Sequence, residues 1–243
     1  MTDSDQQLEA EPTRFQKWRY SSLFYPSLIL LFVIGIFIAS AGWTYYRNLA
    51  LSWCVAELGG RSYELKDELF YRFLELQQNR SGDYYREIYM VSLQQTEISL
   101  DEFRELAMRM GAFDRRGFKL ELSHCQIKDV DFGELQQYPN VIALHLTGCG
   151  LSEEQVRQVG TLNRLVELDL SRSEISTAGL QAVATLPYLN TLILDHVPLT
   201  EEQLLSLGKL ASLKSLSLTN TGLTEKSIKS FSLAYPGVEI SDD

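Results

Sequence analysis

The chain has 243 residues, with 32 acidic against 22 basic side chains and a net charge of −10. That balance repels a phosphate backbone and argues against nucleic-acid binding. Its three cysteines show no even pairing pattern, so no disulfide framework is expected.

Residues 1–19 open with Asp3, Asp5, Glu9 and Glu11 among almost no apolar side chains. They read as an acidic disordered tail. From 20 to 46 the chain carries no charge, and its centre, Leu28 to Ile38, holds ten Leu, Ile, Phe or Val residues and one Gly. At roughly −0.3 to −0.6 kcal/mol each, those ten favour membrane insertion by about 3 to 6 kcal/mol. Tyr20, Phe24 and Tyr25 on one side and Trp43, Tyr45 and Tyr46 on the other match an interfacial aromatic belt. The stretch therefore reads as one transmembrane helix. A cleaved signal peptide ending at Ala39-Ser40-Ala41 is the competing reading, but its leader would be unusually long and the belt beyond it without purpose. Arg14, Lys17 and Arg19 precede the span and only Arg47 follows closely. Positive-inside logic puts the N-terminus in the cytoplasm and the rest outside the inner (cytoplasmic) membrane.

Residues 47–86 read as a juxtamembrane helical cap. Leu51, Val55 and Leu58 share one helical face up to Gly59-Gly60, and Leu65, Leu69, Phe73 and Leu76 share a second. Terminal units of a stacked array need such a cover.

From 87 to 243 the chain repeats itself. Leu-x-Leu recurs every 24 residues: Leu120/Leu122, Leu144/Leu146, Leu168/Leu170, Leu192/Leu194 and Leu216/Leu218. A longer first unit carries Ile88, Val91, Leu93, Thr96 and Ile98, spaced 29 residues from the next, and Val238 and Ile240 suggest a truncated last one set 22 on. Such periods signal a solenoid. The Leu-x-Leu alternation has strand periodicity. Val156, Val159, Leu162 and Leu180, Val183, Leu186 then recur at helical spacing. Ser99-x-x-Glu102, Ser152-x-x-Gln155 and Thr200-x-x-Gln203 are capping boxes. The expected fold is α/β: a solenoid with parallel β-strands on the concave side and helices on the convex side, after one transmembrane helix and a helical cap.

The full unit, L-x-x-L-x-L-x-x-(C/S/V/T)-x-L, resembles the leucine-rich repeat family over roughly residues 87 to 241. The layout of tail, span, juxtamembrane segment and repeats is similar to bacterial single-pass membrane-anchored leucine-rich repeat proteins. Cysteines at the ninth position, Cys125 and Cys149, are similar to those in the arms of F-box ubiquitin-ligase receptors. That likeness implies a substrate-recognition adaptor as an alternative, although no F-box-like segment precedes the repeats. Both cysteines read as small, buried and inert.

Between the core leucines, side chains should face the concave surface in columns: Ser92, Glu121, His145, Asp169, Ile193, Ser217, and beside them Met90, Lys119, Ala143, Glu167, Thr191, Ser215. Loops after the strands add Gln95, His124, Arg172, His196 and Asn220. Tyr89, Met90, Ile142, Val166 and Ile193 supply apolar contact. This mixture suits a protein partner, with Tyr89, Glu121, His145, Glu167, Asp169, Arg172, Ile193 and His196 as the candidate binding residues. A metal-binding or metal-dependent site at Glu121, His145 and Asp169 is a second alternative. No G-x-S-x-G, P-loop, G-x-G-x-x-G or H-E-x-x-H occurs, so no catalytic residue and no cofactor are expected. The outer edge of the last unit is open to pairing with another copy, and the oligomeric state stays undefined.

Overall fold

The computed structural model describes residues 24–64, 87–112 and 116–242. The acidic tail, the basic residues Arg14, Lys17 and Arg19, and the second cap face at Leu65, Leu69, Phe73 and Leu76 lie outside the described residues. The chain divides into two compact units, Met1–Tyr46 and Arg47–Asp243.

In the first unit the described residues belong to helix α1, Phe24–Glu57. Its apolar side chains are exposed: Ile29, Phe32 and Phe37 at 63%, 71% and 73%. Trp43 stacks on Tyr46 with ring centroids 6.0 Å apart.

The second unit begins inside the same helix. Leu51, Cys54, Val55 and Leu58 are buried in its core. A turn at Leu58-Gly59 follows, Gly59 having a φ of 73°, which glycine adopts without steric cost. Strand β1, Arg61–Glu64, comes next and pairs antiparallel with β2, Glu87–Ser92. This strand lies within the stretch read as a helical cap, between the break at Gly59-Gly60 and the second helical face. Sheet pairing along β2 supplies its backbone partners, which a sequence-local period could not foretell.

From β2 onward the pairing is parallel and sequential through β3 (Arg116–Glu121), β4 (Val141–His145), β5 (Glu167–Asp169), β6 (Thr191–Ile193), β7 (Ser215–Ser217) and β8 (Glu239–Ser241). Leu120 stands opposite Leu144, then Leu168, Leu192 and Leu216, all at 0% exposure. Leu216 faces Ile240 rather than Val238, so the last rung is complete in register and starts two residues later than expected. A slip of two keeps the same side-chain face, so Val238 and Ile240 both point toward the core side. Burying a leucine contributes about 1.5 to 3 kcal/mol, and each regular rung buries two from its Leu-x-Leu.

On the other face of the sheet lie α2 (Leu100–Gly111), a 3₁₀ helix (Phe132–Gln137), α3 (Glu153–Val159), α4 (Thr177–Val183), α5 (Glu201–Leu207) and α6 (Glu225–Ala234). Helices of seven residues are marginal alone, so capping and packing hold them. Ser99, Ser152 and Thr200 form the expected capping boxes, and Ser176 and Thr224 cap α4 and α6 by their hydroxyls. One connection is 3₁₀ rather than α because Pro139 forces Tyr138 out of helical geometry, at φ −121° and ψ 78°. The 29-residue spacing is accommodated by α2, the longest of the repeat helices. At Gly160 a Cβ would lie 2.7 Å from the Ala182 carbonyl carbon, so glycine is what lets α3 approach α4.

Candidate functional site

The pleat decides which residues reach the open face of the sheet. In each strand a core residue alternates with residues of the open face, half-buried in β5, β6 and β7, and the register aligns these in two rows. One row is Ser92, Glu121, His145, Asp169, Ile193, Ser217, Ser241; the other is Met90, Lys119, Ala143, Glu167, Thr191, Ser215, Glu239. Seven of the eight candidate binding residues lie on this face or on the loop edge beside it. Tyr89 does not. It shares its face with Val91, is packed against the core, and its ring lies 6.1 Å from that of buried Phe118. Two-residue periodicity requires this, since Met90 and Ser92 take the outward positions. Ile142 and Val166 are also buried, at 1% and 5% exposure, and offer a partner no apolar contact.

The centre of the face is a charged cluster. Glu167 Oε1 accepts hydrogen bonds from His145 Nε2 at 2.5 Å and from Lys119 Nζ at 2.7 Å. A carboxylate can only accept, so the imidazole donates through Nε2–H. Lys119 stands two rungs from Glu167, about 10 Å at normal strand spacing. Ala143 occupies the rung between, and its small side chain leaves the gap that the lysine stem crosses. Lys119 belonged to the expected columns but not to the expected site; the alanine between it and Glu167 was the signal. The three side chains are only 12–17% exposed. Burial alone would push the Glu167 carboxyl up, but the bonds and charges of His145 and Lys119 outweigh it and hold the carboxyl down at about 2.

The other carboxylates of the face are held separately. Asp169 accepts from Thr147 Oγ1 and the Ser171 backbone N–H, both at 2.8 Å, and lies 4.0 Å from His145 Nδ1. Glu121 accepts from Gln94 Nε2 at 3.0 Å and Ser123 Oγ at 3.3 Å. Asp195 accepts from Ser217 Oγ at 2.6 Å and the Thr219 N–H at 3.0 Å. Glu121, His145 and Asp169 therefore stand in a row without converging on a common point. Among the described residues no group of three or more His, Cys, Asp or Glu side chains is placed to hold a metal ion.

Beside the face, the second residue after each paired core leucine turns left-handed. Gln95, His124, Arg172, His196 and Asn220 have φ between 55° and 59°, and Gly148 occupies the equivalent place at 66°. Reading the loops as rim positions anticipated these residues but not their backbone. Gly148 is doubly constrained, because a Cβ there would lie 2.5 Å from His124 Nδ1. Arg172 Nη2 lies 3.4 Å from His196 Nε2.

Behind the loops the cysteines act as core. Cys125 donates from Sγ to Leu93 O at 3.2 Å and Cys149 to Leu122 O at 2.7 Å, one rung back in each case. Burial pushes both thiols up, Cys149 to about 12, so neither forms the thiolate that reactivity requires.

Residues 162–184 match the family model described as a leucine-rich repeat. The matched stretch contains β5 with Leu165, Leu168 and Leu170, and helix α4 with Leu180 and Val183. It supports a leucine-rich repeat protein, and the alternating strands and helices with a parallel sheet fit that family's α/β solenoid. Leucine-rich repeats are generally non-enzymatic domains that bind proteins, and no catalytic family is indicated. No curated protein matches the chain. The ubiquitin-ligase adaptor and metal-site alternatives are not favoured.

Proposed function

We propose that this chain is a single-pass membrane protein that displays a non-catalytic leucine-rich repeat domain outside the inner membrane and binds a protein partner through the open, concave face of its sheet. The observation that carries the binding half is the preset cluster of Lys119, His145 and Glu167 at the centre of that face. Its side chains are already ordered, so a partner loses less conformational entropy on docking there. Ile193 adds apolar contact and Asp169 a fixed carboxylate on the adjoining rungs. Rungs at about 4.8 Å spacing give roughly 30 Å of stacking length, enough for an interface of about 800 Å² per partner.

The anchoring half rests on helix α1. Among the described residues one helix, over Ile29–Glu57, is long and apolar enough to cross a membrane. Its apolar side chains between Ile29 and Ile38 are exposed to a solvent they disfavour in water. The basic residues before it support a cytoplasmic N-terminus. Protease added to intact spheroplasts should digest the repeats along with a periplasmic control. Survival of the repeats under those conditions would defeat the proposed topology. For the binding half, Glu167→Lys should abolish recovery of crosslinked partners from native membranes, and unchanged recovery would remove the open face as the site.

A further inference from the structure

The loop edge beside the sheet differs in charge character from the face itself. The face carries Glu121, Glu167, Asp169 and Asp195, each already held by donors of this chain. The loop edge carries His124, Arg172 and His196, all exposed. The chain has three histidines in total, and two of them stand here. Arg172 meets His196 across 3.4 Å, and among the described residues neither forms an ion pair with a carboxylate. Glu174, two residues further along the same loop, does not pair with Arg172 either. Arg172 donates one N–H to His196 Nε2, and its other guanidinium N–H groups and the His124 ring are taken up by no carboxylate among the described residues.

The row has a measure. His124 follows β3, Arg172 follows β5 and His196 follows β6, with Gly148 leaving the β4 position empty of side chain. At about 4.8 Å per rung, His124 stands roughly 12 Å from the midpoint of the Arg172–His196 pair. An extended peptide rises about 3.3 Å per residue and shows one face at every second residue, so positions i and i+4 span about 13 Å on one side. A planar guanidinium recognises a carboxylate through two parallel hydrogen bonds.

We propose that this edge docks an extended acidic segment of the protein partner, with one carboxylate on Arg172 and His196 and a second, four residues away, on His124. The proposal rests on the reading of the domain as a protein-binding module and specifies the chemistry of what it binds.

The left-handed backbone makes the test clean. Arg172→Gly and His196→Gly remove the side chains at positions where φ is 58° and 59°, a conformation that glycine adopts without steric cost, so the substitutions introduce no backbone strain. The probe is a labelled peptide with two glutamates separated by three serines, titrated by fluorescence anisotropy against the full chain in a neutral detergent. A second peptide carries lysines in place of the glutamates. The glutamate peptide should bind and the lysine peptide should not. Arg172→Gly should weaken binding at least tenfold, His124→Gln should weaken it less, and Arg172→Lys should recover only part of the loss. Equal binding by the Arg172→Gly variant, or preference for the lysine peptide, overturns the proposal. So does binding of phosphatidylserine vesicles through Arg172 with no binding of the glutamate peptide. Should partner crosslinks at the open face persist while the glutamate peptide fails to bind, the acidic-segment proposal alone falls and the binding module stands.

Discussion

Helix α1 up to Tyr46 and the strands of the repeats are built from the same apolar residues, yet they come to opposite surroundings. Phe32 and Phe37 are more than 70% exposed, whereas Leu120, Leu144, Leu168, Leu192 and Leu216 are at 0%. The difference lies in period. A run of ten large apolar residues around one glycine is apolar on every side, and those described are exposed. Leucines returning at a fixed interval present one apolar row per element, and neighbouring rungs cover it. Hydrophobic content alone therefore does not say whether a segment packs into the repeat core; its spacing does.

Substitutions in the two regions should separate these roles. Leu168→Ala should have the largest effect, removing about 2 to 5 kcal/mol of stability as a cavity opens between rungs. Urea unfolding followed by circular dichroism measures it, and a loss under 1 kcal/mol would mean the rungs are loosely packed. Ile34→Lys should cost about 3 kcal/mol of membrane insertion while leaving the urea midpoint of the repeats unchanged. Carbonate extraction reads the first effect, and a shift in the repeat midpoint would show that the helix side chains are covered by protein after all.

Glu167→Gln sharpens the comparison within the repeats. The carboxyl is held down at about 2 against an ordinary 4.5. A depressed acid contributes stability that is complete above the ordinary value and is lost as pH falls from about 4.5 toward 2. That contribution is up to about 3 kcal/mol, at about 1.4 kcal/mol per unit of pKa. The wild-type chain should lose stability steeply over that range, and the Gln variant should show a flatter acid limb. Identical limbs would mean that the Lys119 and His145 contacts do not bind the carboxylate form. Ser152→Ala should have the smallest effect, about 1 kcal/mol, through loss of the α3 cap. Hydrogen exchange confined to that helix is the expected signature, and faster exchange across the whole sheet would contradict it.

Much of this architecture is legible in the chain. The leucine register assigned the core, the two rows of the open face and the inert cysteines, because a solenoid makes each rung repeat the contacts of the last. What it missed arises where side chains leave that one-dimensional order. Tyr89 falls beside outward residues in sequence but shares the face of Val91, so its orientation depends on the pleat at an irregular first unit. The bond between His145 and Glu167 runs diagonally between rows, and Lys119 reaches across a rung that only Ala143 leaves open. Strand β1 depends on pairing with a segment more than twenty residues away, and its four residues carry no period of their own. The left-handed loop residues were visible as positions, but a single sequence with Gln, His, Arg and Asn there does not announce positive φ as glycine would.

Site-specific photo-crosslinking in native membranes tests the binding reading most directly. A photoreactive side chain at Ile193 probes the open face, and one at Leu205, which is 54% exposed on α5, probes the helical side. A discrete protein adduct at Ile193 and none at Leu205 is the expected result. An adduct at Leu205 with none at Ile193 would place the partner on the helices and contradict a binding site on the open face.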